Sequence, residues 1–109
     1  MADEEYSLSY LPLSFDDLEE HVMYISEALH NQAAAIELID DVENAILERL
    51  PFAESFEPYH SRKARKQLYY RIYVKRYVVY YVVVPNGNGK KVMEVRRKLH
   101  GLQNRDKKL

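Results

Sequence analysis

The sequence predicts an α+β fold, a two-helix hairpin packed on one face of a small antiparallel sheet, in the order β-α-α-β-β-β. Three observations carry that expectation. Between residues 15 and 50, apolar side chains recur at spacings of three and four, the period of helices lying on a core. Between residues 68 and 99, valine, isoleucine and tyrosine dominate three runs separated by turn residues. The charges divide along the same line: residues 1–58 hold fifteen Asp and Glu against Arg49 alone, whereas residues 59–109 hold fifteen Lys and Arg against Glu94 and Asp106.

The elements follow in order. "YSLSYL" at 6–11 alternates and reads as a short strand ended by Pro12. Ser14 is then a good N-cap, with Asp17 three residues on as its capping-box partner, and Phe15, Leu18, Val22, Ile25 and Leu29 draw one apolar stripe. Asn31 caps a second helix whose stripe is Ile36, Ile39, Val42, Ile46 and Leu50, and Pro51 terminates it. Helices joined by so short a connection pack antiparallel. Residues 52–67 show no clean period and read as a loop, with room for a helical turn at the basic end. Strands are expected at 68–74, 77–84 and 91–99, with "PNGNG" turning the chain between the last two.

A chain of 109 residues suits one domain with one modest core, so residues 1–109 are read as a single unit. The absence of cysteine excludes a disulfide framework and thiolate metal sites. No apolar run approaches the length of a membrane span and the acidic start is unlike a secretory signal, so a cytoplasmic protein without membrane contact is expected. The charge asymmetry implies a basic half that attracts polyanions or an acidic protein.

Alternation divides each strand between two faces. Tyr70, Ile72 and Val74, with Met93, Val95 and Leu99, form the row expected against the helices, leaving Arg97 as a misfit in that row. The opposite face is expected to be open and to carry Arg71, Lys75, Arg96, Lys98 and His100 among tyrosines. Such a surface suits phosphate neutralisation and base stacking; an acidic protein segment fits it too, and simple solvation explains any one of its residues. His100 is the candidate acid or base, because imidazole exchanges protons near neutral pH, or else a residue that merely ends a strand at Gly101. The planar fork of Arg71 suits a phosphate or a carboxylate. The run Arg62, Lys63, Arg65 and Lys66 is placed to meet a nucleic-acid backbone or a partner, and Tyr69 and Tyr73 offer stacking rings. The four histidines lack metal-ligand spacing, and "NGNG" is a hairpin turn, so no metal and no cofactor are expected.

The order of elements, the strand pair "YRIYVKRYVVYYVVV" and the ending "VMEVRRKLHG" together resemble the RelE/ParE superfamily, the toxins of bacterial type II toxin–antitoxin systems, over residues 6–106. The resemblance implies a single toxin domain that inhibits growth and stabilises plasmids, held inactive by a cognate antitoxin, with operator DNA bound only through the toxin–antitoxin complex. RelE-like members cleave mRNA on the ribosome without a metal, which would give His100, Arg71, Arg96 and Lys98 catalytic or phosphate-binding roles. Those members place Arg after the tyrosine that opens the second strand of the pair and often follow a terminal His or Lys with Arg; here Val78 follows Tyr77 and Gly101 follows His100. ParE-like members poison DNA gyrase, and Arg71, Tyr77 and Leu99-His100-Gly101 look closer to their pattern, although Gln103-Asn104 departs from it. Gyrase inhibition is therefore the expectation, a ribosome-dependent endoribonuclease the alternative, and a relic that only binds an antitoxin a third reading.

Overall fold

A computed structural model describes residues 6–58 and 68–100. Strand β1 (Tyr6–Tyr10) leads into helix α1 (Pro12–Met23), which widens into a π-helical turn at Tyr24–Ala28 before helix α2 (Gln32–Arg49) and a short 3-10 turn at Leu50–Phe52. Three strands complete the fold: β2 (Tyr70–Val74), β3 (Tyr77–Pro85) and β4 (Lys91–His100). They form one four-stranded sheet in the order β1-β4-β3-β2. Alternation and turn chemistry account for the antiparallel β2–β3 and β3–β4 pairs, but β1 pairs with β4 in parallel, so the sheet is mixed rather than antiparallel. Tight turns dictate the direction of consecutive strands only, and β1 reaches β4 across the whole helical hairpin.

Pro12 opens α1 rather than merely ending β1, because the first helical position needs no N–H and prefers the proline φ. Ser14 lies inside the helix, fully buried, and its hydroxyl donates to the Leu11 carbonyl at 2.8 Å. Asp17 is likewise not a capping residue; it points into the protein. The hairpin turn is made by the π-helical widening, where the Leu29 N–H reaches back to the Tyr24 carbonyl, and by His30 at φ 54°, a left-handed value that histidine tolerates better than most residues. Asn31 caps α2 as expected, its side-chain oxygen accepting from the Ala34 N–H at 3.1 Å.

α2 buries Ala35, Leu38, Val42 and Ile46, a stripe rotated from the expected one, and leaves Ile36 60% exposed and Ile39 38% exposed. Burying Leu38, Val42 and Ile46 contributes roughly 1.5–3 kcal/mol each. They meet Leu18, Val22 and Ile25 of the first helical segment and Ile72, Val74, Val79, Tyr81, Met93 and Val95 of the sheet. At the end of α2, Arg49 donates to the Tyr81 hydroxyl at 3.0 Å and to the Arg71 carbonyl at 3.1 Å while lying 3.5 Å over the Phe56 ring. Tyr81 in turn donates to the Ala53 carbonyl at 2.6 Å. The one base of the acidic half thus ties α2 to the sheet.

The other sheet face is not the open surface expected from alternation. Tyr69, Val78, Tyr80, Val82 and Leu99 are buried there as a second apolar cluster. The basic row is also broken up. β4 carries a bulge: Tyr80 pairs with Arg97 but Tyr81 pairs with Val95, so Arg96 is an extra residue. Past it, the parity of β4 reverses. Leu99, expected against the helices, joins the second cluster, while Lys98 and His100 turn to the helical side. Arg97, the misfit in its row, directly follows the extra residue.

Candidate functional site

β1 covers the edge of β4 only from Lys91 to Val95, and the Leu11 N–H extends that ladder to the Val95 carbonyl at 2.9 Å. Beyond it α1 takes the place of a strand. Asp17 accepts from the Lys98 backbone N–H at 2.9 Å and from the Arg97 guanidinium at 2.8 and 2.7 Å. A carboxylate thus completes the ladder where strand pairing stops, and the bidentate fork holds the guanidinium against it. The hydrogen bond to Asp17 raises the Arg97 pKa despite the opposing effect of burial, so the guanidinium stays charged. The two side chains are 15% and 10% exposed, a shielded ion pair.

This lock sets the end of β4 beneath α1 and gathers an aromatic and imidazole cluster there. His100 pairs with Tyr77 across β4 and β3, their rings 5.3 Å apart and edge-on. His21, one turn after Asp17 on α1, stacks on His100 at 5.6 Å and meets Tyr77 edge-on at 5.0 Å. The three rings line a cavity of about 670 Å³ together with Glu20, Glu37, Lys75 and Arg76. Burial raises the Tyr77 pKa, which keeps its phenol protonated and able to donate a hydrogen bond at neutral pH. Two imidazoles and a phenol can exchange hydrogen bonds and protons with a ligand there, between two cations and two carboxylates. Among the described residues no three His, Asp or Glu side chains converge to hold a metal ion.

The expected site residues do not meet at one place. Arg71 lies half-buried on β2, opposite Tyr80, with its guanidinium 5.7 Å from the Tyr73 ring centroid. Arg96 is on the same side of the sheet, bonded to Glu94 at 2.9 Å and to the Tyr69 hydroxyl at 3.3 Å. His100 is on the opposite side with Lys98, so the four residues given catalytic or phosphate-binding roles by the family resemblance are divided between two faces. Tyr69 is buried and Tyr73 is 62% exposed. Lys75 sits in the β2–β3 turn at φ 55° and pairs with Asp41 at 2.8 Å and Glu37 at 3.3 Å, contacts that raise its pKa, Asp41 foremost. Lys98 is buried under α1. Arg62, Lys63, Arg65 and Lys66, with the motif residues beyond His100, lie outside the described residues.

Sequence reasoning missed His21 and Tyr77 as partners of His100, and Asp17 as their organiser. His21 falls four residues after Asp17, on the same helix face, which is the one signal that could have linked them.

Fold and site define a class, a small α+β domain whose helical hairpin locks the end of a mixed four-stranded sheet and builds a histidine–tyrosine cavity there. No protein-family model matches the chain, and no curated protein is significantly similar to it in sequence. No helix among the described residues is long and apolar enough to cross a membrane.

Proposed function

We propose that this chain is a growth-inhibiting toxin of the RelE/ParE type that acts by binding DNA gyrase rather than by cutting RNA, and that a cognate antitoxin holds it inactive. The element order and the quoted strand motifs support the family reading. The observation that carries the choice of target is the dispersal of the cations a nuclease would aim at one phosphate. Arg96 is engaged by Glu94 and Tyr69 on one face, His100 lies with His21 and Tyr77 on the other, and the position after Tyr77 is a buried valine, Val78. Stabilising a phosphorane needs convergent positive charge at the reacting group, and this division opposes it.

The cavity at His100 favours a second reading, a metal-independent, ribosome-dependent endoribonuclease in which His100 transfers the proton and Lys75 and Arg76 hold phosphate. Controlled expression of the chain alone separates the readings. Growth arrest with relaxed plasmid DNA and intact transcripts is expected for the gyrase inhibitor. Transcripts cut at the onset of arrest would replace it with the nuclease, and unimpaired growth would leave only an antitoxin-binding relic. Co-purification of a small acidic protein encoded next to the chain is the expected sign of the antitoxin.

A further inference from the structure

Lys98 is placed where lysine is rarely found. The residue is 5% exposed, and its ammonium, not fully sealed from solvent, has no carboxylate or other hydrogen-bond acceptor among the described residues. A buried ammonium is costly unless something replaces its lost water. Two aromatic faces do part of this: Nζ lies 5.0 Å from the Tyr10 ring centroid and 5.2 Å from that of Phe15. The Asp17 carboxylate is already committed, since it accepts from Arg97 and from the backbone N–H of Lys98 itself. Burial accordingly lowers the Lys98 pKa, with Asp17 and Glu43 opposing the shift from a distance.

The Lys98 side chain lines a groove. Lys98 lines a recess of about 190 Å³ with Tyr10, Val42 and Ile46, and also an adjoining space of about 320 Å³ between α1 and α2 with Leu18 and Val22. Phe15 and Ile39 border both, and they are 55% and 38% exposed, apolar lips at the mouth of a groove with a cation in its wall. Glu19 and Glu43 stand on its rim.

We propose that the α1–α2 groove binds an aliphatic monocarboxylate of medium chain length, its carboxylate on the Lys98 ammonium and its chain along Phe15, Leu18, Val22 and Ile39. Each part of the ligand answers a feature of the site. One buried cation accepts one negative charge, and the acidic rim repels polyanions such as nucleic acid and acidic peptides. The walls offer almost nothing polar for the rest of the ligand, so it is hydrocarbon. With a water-sized group occupying roughly 30 Å³, the larger space holds on the order of ten methylenes. This site is separate from the His21–Tyr77–His100 cavity, and the proposal stands whatever the target of the protein.

The test is calorimetric titration of the full chain with decanoate below its micelle concentration, beside decanol as the uncharged analogue. Decanoate is expected to bind one site, at least tenfold more tightly than decanol. Lys98→Met keeps the stem and removes the charge; it is expected to lose that preference, with decanoate weakened at least tenfold and decanol unchanged. Ile39→Trp, at a half-exposed position away from the sheet, fills the mouth of the groove and is expected to abolish binding of both. Absence of decanoate binding to the parent chain, equal affinity for decanol, or decanoate binding retained in either variant would overturn the proposal.

Discussion

The two halves of β4 obey different rules. From Lys91 to Val95 the strand runs beside β1, its side chains alternate, and Met93 and Val95 enter the helix-covered core where alternation puts them. From Arg97 to His100 it runs beside α1, past a bulge, and its polar residues turn inward: Lys98 into the α1–α2 groove, His100 onto His21. The first half is held by a strand partner that repeats the same backbone bonds at every step. Both halves pair with β3 on the inner edge, but on the outer edge the second is held by the Asp17 carboxylate, which supplies a single acceptor to the ladder and a counter-ion to Arg97. A helix cannot pair with a strand edge through its backbone, whose groups are used internally, so the partner must be a side chain. Such a substitution frees the strand end to carry functional groups, at the cost of concentrating the hold on its outer edge in one residue.

That contrast can be broken most directly at Asp17. Asp17→Ala removes the bidentate carboxylate from the shielded Arg97 guanidinium and the acceptor from the Lys98 N–H, and a loss of about 3 kcal/mol in urea denaturation is expected. Hydrogen exchange should rise at Lys98 and not at Met93; a uniform rise along β4 would show that the two halves are one unit. Deleting Arg96 tests the bulge. Removal of the extra residue restores regular alternation while leaving Lys98 and His100 on the helical side, so the variant is expected to fold with a loss of about 1 kcal/mol, from the contacts to Glu94 and Tyr69. A nuclear Overhauser effect between the His21 and His100 rings should survive; its disappearance would mean that the bulge positions the cluster as well as Asp17 does.

The smallest effect is expected at Lys98 and appears as a pH dependence. Burial lowers the folded pKa of Lys98 below the ordinary value near 10.5, so the unfolded chain binds the proton more tightly. The charged residue therefore penalises folding in full below its folded pKa, and the penalty disappears as pH rises from there to the unfolded value. The parent chain should gain stability relative to Lys98→Met across that alkaline window, and the variant should be at least as stable as the parent at neutral pH. A difference between the two that stays flat with pH would show that the ammonium is not penalised by burial.

Much of the architecture was legible in the residues. The 3.6-residue period of Leu18, Val22 and Ile25, the Asn31 cap and the Asn and Gly residues of the β3–β4 turn are local signals, and each element formed where those signals lie. Gly87 and Gly89 adopt φ 94° and 75°, as that turn demands. The stripe of α2 was misjudged because Ala35 and Leu38 compete with Ile36 and Ile39 for the same helix, and hydrophobicity alone does not say which pair faces the sheet. The candidate site was less legible. His100 was recognisable as a chemical group, but its neighbours His21 and Tyr77 come from elements 79 and 23 residues away, brought together by a bulge that alternation does not foresee.

What the sequence determined alone was whatever depends on a residue and its near neighbours: the elements, their order, the turns and the division of charge. Tertiary structure alone decided the parallel docking of β1 on β4, the burial of the second sheet face, and the side of the sheet to which Lys98 and His100 belong. Each of these turns on which partner lies along a strand edge, and that choice is made by the total burial and hydrogen bonding of the folded chain. One extra residue in β4 cost the local pattern little and reversed the face of every residue after it.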